Sequence, residues 1–243
     1  GGCSWQNLDY SKHVEYKTKQ VKETLEHIGG FENPPVKTGL PSAEIFFYRN
    51  KMEFSFGSDQ KDSPILGLHK KERFDIVFDL EKCHLQSEIS NQIVHFIRKF
   101  VQQNQIFIYD LKTHQGFLRF LTIREGKNTG EIMVNLVTNK GEFPLGKVLA
   151  QKLMERFPQI KSVVRNINSQ KAQIAVGEKE EVLAGKNTIT EKIGEFVFEI
   201  SANSFFQTNT KQAEKLYDLV LEWAELKGTE TALDLYSGTG TIS

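Results

Sequence analysis

Cysteine is nearly absent from this chain, with two among 243 residues, Cys3 and Cys83. That scarcity excludes a fold built on disulfides and fits a reducing, cytoplasmic setting. Net charge is absent too. The 31 Lys and Arg balance 31 Asp and Glu, so no global basic field draws the chain to nucleic acid, although a local basic face stays open. No apolar run approaches the roughly 20 residues that cross a bilayer, and no signal peptide is visible, so no membrane partner is expected. No internal repeat or low-complexity tract stands out. The chain starts on Gly1 rather than Met, which reads as a cut or processed start. With 39% hydrophobic residues and a net charge of +0, the composition is that of a globular chain and not of a disordered one. Its length allows one large or two small domains.

What is present begins with a helix. Val14, Val21, Leu25 and Ile28 fall on one face of Ser11 to Ile28, with Lys and Glu between them. Gly29-Gly30 ends it, and Asn33-Pro34-Pro35 forbids its continuation. Strand patterns follow at Ile45 to Arg49, Met52 to Phe56, Ile65 to His69 and Asp75 to Phe78. Ser87 to Val101 reads as a second helix. Further strands are expected at Leu118 to Arg124, Glu131 to Val137, Ser162 to Asn166 and Phe196 to Ile200. A helix near Phe143 to Phe157 interrupts them, with Pro144 in its first turn. Together these predict an α+β block with a mostly antiparallel sheet. A last helix follows Asn209, with Ala213, Leu216, Tyr217, Val220, Trp223 and Ala224 in one stripe, and ends at Lys227-Gly228. The strand Ala232 to Leu235 leads into Tyr236-Ser-Gly238-Thr-Gly240.

A strand followed by closely spaced glycines lets a backbone approach a nucleotide-like ligand. Gly-x-Gly alone is equally an ordinary loop. The two cysteines, about 80 residues apart, support no metal site by spacing, since an iron–sulfur centre takes four thiolates. Arg49, Lys51, Arg119 and Arg124 lie beside aromatic residues, as phosphate- and base-contacting groups often do, and as a solvated sheet face also does.

Several passages together carry a resemblance. They are Gly1-Gly-Cys3-Ser-Trp-Gln6, Tyr48-Arg-Asn-Lys51, Cys83-His-Leu-Gln86, Gly116-Phe-Leu-Arg119, Gly177-Glu-Lys179, Ser201-Ala-Asn-Ser-Phe-Phe-Gln207-Thr-Asn209 and Leu233-Asp-Leu-Tyr-Ser-Gly-Thr-Gly240. In this order, over essentially the whole chain, they resemble the RNA uracil-C5 methyltransferase family. The resemblance implies S-adenosylmethionine as cofactor, held by Gln207, Asp234, Tyr236, Gly238 and Thr241, with Gly238 and Gly240 making the turn. Some family members carry Asn in place of Thr241 and Cys in place of Ser237.

It also implies that Cys3 and Cys83 are two ligands of a 4Fe-4S cluster whose other cysteines lie before Gly1. That would favour the 23S ribosomal-RNA branch over transfer RNA. Arg49, Lys51 and Arg119 would contact RNA, and Phe205 or Phe206 an extruded base. The implied domains are an iron–sulfur segment and leading helix at 1–41, a central RNA-contacting domain at 42–202, and the start of a class I, Rossmann-like methyltransferase domain at 203–243. The reaction needs a thiolate to attack uracil C6 and a base to remove the C5 proton. In the family both belong to a distal part of that domain, so Cys83 is not expected as nucleophile. This chain, expected to be a monomer, would then be a truncated, inactive part of an enzyme. The alternatives are a transfer-RNA enzyme, a non-catalytic RNA-binding fragment, or a methyltransferase for another substrate.

Overall fold

A computed structural model of the chain describes residues 4–238, 240 and 241, with nothing described of the Phe74 side chain. It divides into two compact units, Gly1–Ile45 and Phe46–Ser243.

The first unit is built on one helix, α1 (Tyr10–His27). The Asp9 carboxylate accepts the Ser11 N–H at 2.9 Å and so fills an orphan donor at the helix start. No α1 residue is buried, and the helix is laced by the surface pairs Lys12–Glu15, Lys19–Glu23 and Lys22–Glu26. The chain after α1 returns along it. The Gly39 N–H reaches the Thr18 hydroxyl at 2.9 Å, and the Ser42 N–H reaches the Tyr10 hydroxyl at 2.7 Å.

The second unit holds a seven-stranded sheet with strand order β3-β2-β1-β4-β5-β6-β7. The strands are β1 (Lys51–Ser58), β2 (Pro64–Lys70), β3 (Arg73–Asp79), β4 (Leu118–Glu125), β5 (Ile132–Thr138), β6 (Ile160–Ile167) and β7 (Lys179–Gly185). All pairs are antiparallel except β5–β6. That parallel pair needs a crossover, and α3 (Gly146–Arg156) supplies it. A second helix, α2 (Glu88–Gln103), is capped by Ser87, whose hydroxyl accepts the Ser90 N–H.

Alternation along the central strands divides the residues between two faces. On one face, Leu121 and Ile123 of β4 stand opposite Leu136 and Val134 of β5. They pack with Ile93, Val94 and Ile97 of α2 and with Leu149 and Leu153 of α3. On the other face, Met133 and Val164 join Ile189, Ile193, Ile200, Ala202 and Phe206 in a second cluster. Most of these come from a separate hairpin, β8 (Thr188–Ile193) with β9 (Phe196–Ser201), and the segment after it.

The α+β class with a mostly antiparallel sheet is as expected from the sequence. The differences are local. Ile45 to Arg49 is not a strand, because Phe47 sits in the left-handed region at φ 56°, which no ladder accepts. Pro144 precedes α3 instead of occupying its first turn. Strands β7 and β8 carry no clean apolar alternation. β7 begins Lys-Glu-Glu, as suits an edge strand, and the inward set of β8 is Ile189, Glu191 and Ile193. The last helix, α4 (Thr210–Ala224), stops before Lys227 at a left-handed Glu225. Residues 232–235 form no strand. No helix described is long and apolar enough to cross a membrane.

Two substitutions test this packing. Leu121→Ala removes a fully buried side chain from the main cluster and is expected to cost about 2–5 kcal/mol, read from the urea midpoint. Gly116 has φ 108°, and a Cβ there would lie 2.0 Å from the Ile108 carbonyl oxygen. Gly116→Ala is therefore expected to lower the thermal midpoint measurably, whereas Gly130→Ala, with open space around it, bears only the cost of its φ.

Candidate functional site

The Phe205-Phe206-Gln207 segment is tied to the sheet from three strands. Phe206 is 3% exposed and sits in the second cluster, edge-on to Phe198 at a centroid distance of 5.9 Å. Its neighbour Phe205 is 70% exposed. From β4, Arg124 donates through Nε to the Ala202 carbonyl at 3.2 Å and through Nη2 to the Ser204 carbonyl. Burial pushes the Arg124 guanidinium down to about 10, against the opposing pull of Glu53. From β6, Asn166 accepts from the Asn203 amide at 3.0 Å and donates onward to Asn135 Oδ1, also at 3.0 Å. At the start of β1, Asn50 Nδ2 donates to the Gln207 carbonyl at 2.7 Å, and the Asn50 N–H donates to the Thr208 carbonyl at 2.8 Å. The Gln207 backbone is thereby fixed while its side chain is half-buried.

Beneath this segment lies a carboxylate with 0% exposure, Glu191. It accepts the backbone N–H groups of Lys127 at 2.6 Å, Asn128 at 3.0 Å and Lys192 at 2.9 Å. Its fourth donor is the Thr210 hydroxyl at 3.1 Å, in the first turn of α4. Thr210 in turn accepts from Asn50 Nδ2 at 2.9 Å. One chain of polar contacts thus joins β8, the loop after β4, the start of α4 and Gln207.

The glycine turn is reached through α4. Tyr217 packs against the cluster that contains Phe206, and its hydroxyl donates to Thr241 Oγ1 at 3.0 Å. Gly238 and Gly240 have φ 59° and 69°, and the Gly240 N–H closes the turn on the Ser237 carbonyl at 2.9 Å. A Cβ on Gly238 would meet nothing nearer than 3.9 Å. Glycine is required there by the left-handed backbone and not by crowding. Tyr236 is also left-handed at φ 66° and fully exposed. Asp234 Oδ2 is buried without a hydrogen-bond partner among the described residues. A left-handed turn beside an orphaned acceptor suits a ligand that brings its own donors, so these residues fit the cofactor that the sequence implies. Thr239 lies outside the described residues.

The cations expected to face RNA divide. Arg49 is half-buried and donates through Nε to the Lys51 carbonyl at 3.1 Å, and Lys51 is paired with Glu53 at 2.6 Å. Arg119 does not fit an RNA surface. It is 3% exposed and stacks 4.3 Å from the centre of the Tyr109 ring. Its guanidinium donates to the carbonyls of Asn168, Gln170 and Ala172 at 2.8, 2.6 and 2.7 Å. Burial lowers its pKa. Arg124 is likewise enclosed. Periodicity alone cannot tell such a residue from a solvated one, because both stand at alternate strand positions. Asn50, Asn166 and Glu191 were not singled out from the sequence. Asn50 alone had a signal, its place inside Tyr48-Arg-Asn-Lys51.

Cys3 lies outside the described residues. Cys83 is 6% exposed within the main apolar cluster, and Asn91 brackets its backbone N–H and carbonyl at 2.7 and 3.0 Å. Such a thiol does not reach a substrate base. Among the described residues no group of three or more His, Cys, Asp or Glu is placed to hold a metal ion. The described residues therefore do not assemble the ligand set of a 4Fe-4S cluster. His84 stands on the surface between Phe46 and Phe47, and His114 contacts the Tyr109 hydroxyl at 3.2 Å. Neither has a catalytic partner.

No protein-family model matches the chain. A Chlorobaculum tepidum protein named as an uncharacterized RNA methyltransferase is 39% identical over 100% of this chain and 53% of its own length. A Halalkalibacterium halodurans protein of the same description is 37% identical over 100% and 53%. Among solved structures, Pyrococcus abyssi tRNA (uracil-54, C5)-methyltransferase in complex with S-adenosyl-L-homocysteine matches with TM-score 0.79 and 32% identity. That match covers 100% of this chain and 54% of the other. The chain thus spans about half the length of the relatives it matches. Over its whole extent it is similar in sequence to proteins named RNA methyltransferases, and in fold to a tRNA uracil-C5 methyltransferase.

Proposed function

We propose that this chain is part of an S-adenosylmethionine-dependent RNA uridine-C5 methyltransferase. The observation that carries the reading is the rigidly tethered Phe205-Phe206-Gln207 segment, joined through Tyr217 to a left-handed glycine turn. Residues 42–202 are the RNA-contacting domain in this reading, and 203–243 begin the cofactor domain. S-adenosylmethionine supplies an electrophilic methyl group. This chain's residues bind and orient. Gly238 and Gly240 open the backbone, Thr241 and Tyr236 line the cleft, and Asp234 accepts a ligand hydrogen bond. The half-buried Gln207 amide is assigned to the same ligand in this reading.

Phe205, exposed on an anchored loop, offers a ring face to an unstacked base, while Phe206 serves the core. Extrusion of the base costs a few kcal/mol, and stacking returns about 1–3 kcal/mol of it. Arg49 and Lys51 supply phosphate contacts at the start of β1. The thiolate and the proton-abstracting base that the chemistry requires have no candidate among the described residues, Cys83 being enclosed. The isolated chain is accordingly read as binding without turnover, as a cytoplasmic monomer.

Two RNAs compete as substrate. The Cys3 and Cys83 pattern favours 23S ribosomal RNA, and the likeness to a transfer-RNA enzyme favours transfer RNA. The deciding experiment incubates the full-length protein with labelled S-adenosylmethionine and each RNA in turn. Label in 5-methyluridine of ribosomal RNA is the expected result, and label in transfer RNA alone selects the second reading. No label in either sinks the proposal. In the same assay Phe205→Ala is expected to raise the RNA KM about tenfold or more, from the lost stacking. The 243-residue chain alone is expected to bind RNA with an affinity that falls steeply between 50 and 200 mM salt, as ion release at phosphates requires.

A further inference from the structure

Asn50, Thr210 and Glu191 form a relay that ends on the backbone of Gln207. Asn50 is 5% exposed, and its two amide protons go to the Gln207 carbonyl at 2.7 Å and the Thr210 hydroxyl at 2.9 Å. Thr210 passes its own proton to Glu191 at 3.1 Å. Glu191 accepts from Thr210 and from three backbone N–H groups fixed by β8 and the loop after β4. None of the three side chains is exposed, so none can touch RNA or cofactor. They converge on one residue, Gln207, whose side chain is half-buried. An amide that must meet a ligand within hydrogen-bond reach loses about a hundredfold in rate for a misplacement near 1 Å.

We infer that Asn50, Thr210 and Glu191 are positioning residues, which set the Gln207 side chain for methyl transfer without contacting a reactant. Asn50 is the direct link, because its amide spans from Gln207 to the Thr210–Glu191 pair. Thr210 fixes the orientation of that amide, since its hydroxyl accepts from Asn50 and donates to the carboxylate. This role rests on Gln207 facing the cofactor and base, as proposed above.

The test is a set of variants in the full-length protein, assayed for methyl transfer with thermal melting alongside. Asn50→Ala and Thr210→Val are each expected to lower kcat about tenfold to a hundredfold, with the RNA KM little changed. Thr210→Ser, which restores the hydroxyl, is expected to recover the wild-type rate. In a double-mutant cycle, Asn50→Ala added to Gln207→Ala is expected to cost no further rate, because both act through one amide. A loss in the double variant equal to the product of the two single losses overturns the relay, as does a Thr210→Val rate equal to wild type. If Asn50→Ala fails to fold, the Thr210→Val and Thr210→Ser pair decides. A Gln207→Ala protein with undiminished rate sinks the site assignment itself, which is a different result from a slow Gln207→Ala with additive partners.

Discussion

A carboxylate with no exposed surface governs how the parts of the second unit meet. Glu191 draws three backbone N–H groups and a hydroxyl onto two oxygens. Burying a carboxyl group is costly unless its lone pairs are filled, and these donors fill them. The geometry demanded is strict. The loop after β4 must turn back at Lys127 and Asn128, β8 must stand beside it, and α4 must begin at Thr210. If any one of these shifted, a buried polar group would be left without a donor. The hairpin β8–β9 has its own apolar contact with the sheet through Met133 and Val164, but that contact is non-directional. The carboxylate supplies the direction.

The same division of labour runs through the segment after β9. Phe206 supplies apolar burial, while Arg124, Asn166 and Asn50 each hold a different carbonyl or amide of residues 202–208. Loop backbone carries polar groups that cannot be buried unpaired, and here they are answered by strand side chains. The result is a loop with little freedom that still presents Phe205 outward. Preorganisation of this kind places the cost of ordering in folding and spares it at the moment of binding.

Helices α2 and α3 and the central strands were legible because their burial is apolar. The periodic sets of α2, β4 and β5 fall where alternation and helical spacing put them. What the sequence hid is polar burial. Glu191 breaks the alternation of β8, and Arg119 and Arg124 have the residue type of a solvated face while lying inside. Phe47 belongs to an aromatic run that reads as a strand, yet its N–H goes to the His84 carbonyl and its own carbonyl to Lys127, contacts that a left-handed turn serves and a strand does not. The expected strand at 232–235 has no ladder partner among the described residues, and apolar pattern without a partner makes no sheet. In the candidate site, Gln207 and the glycine turn were legible by motif. Their supports Asn50, Thr210 and Glu191 were not, because a hydrogen bond between residues 50 and 207 leaves no mark in either local pattern.

Arg119 grips the loop after β6 through carbonyl oxygens and the Tyr109 ring. Its hydrogen-bond acceptors are dipoles, and the Glu178 carboxylate adds a coulombic pull. At 3% exposure these contacts are screened little by salt, so the loop after β6 keeps its path where surface ion pairs weaken.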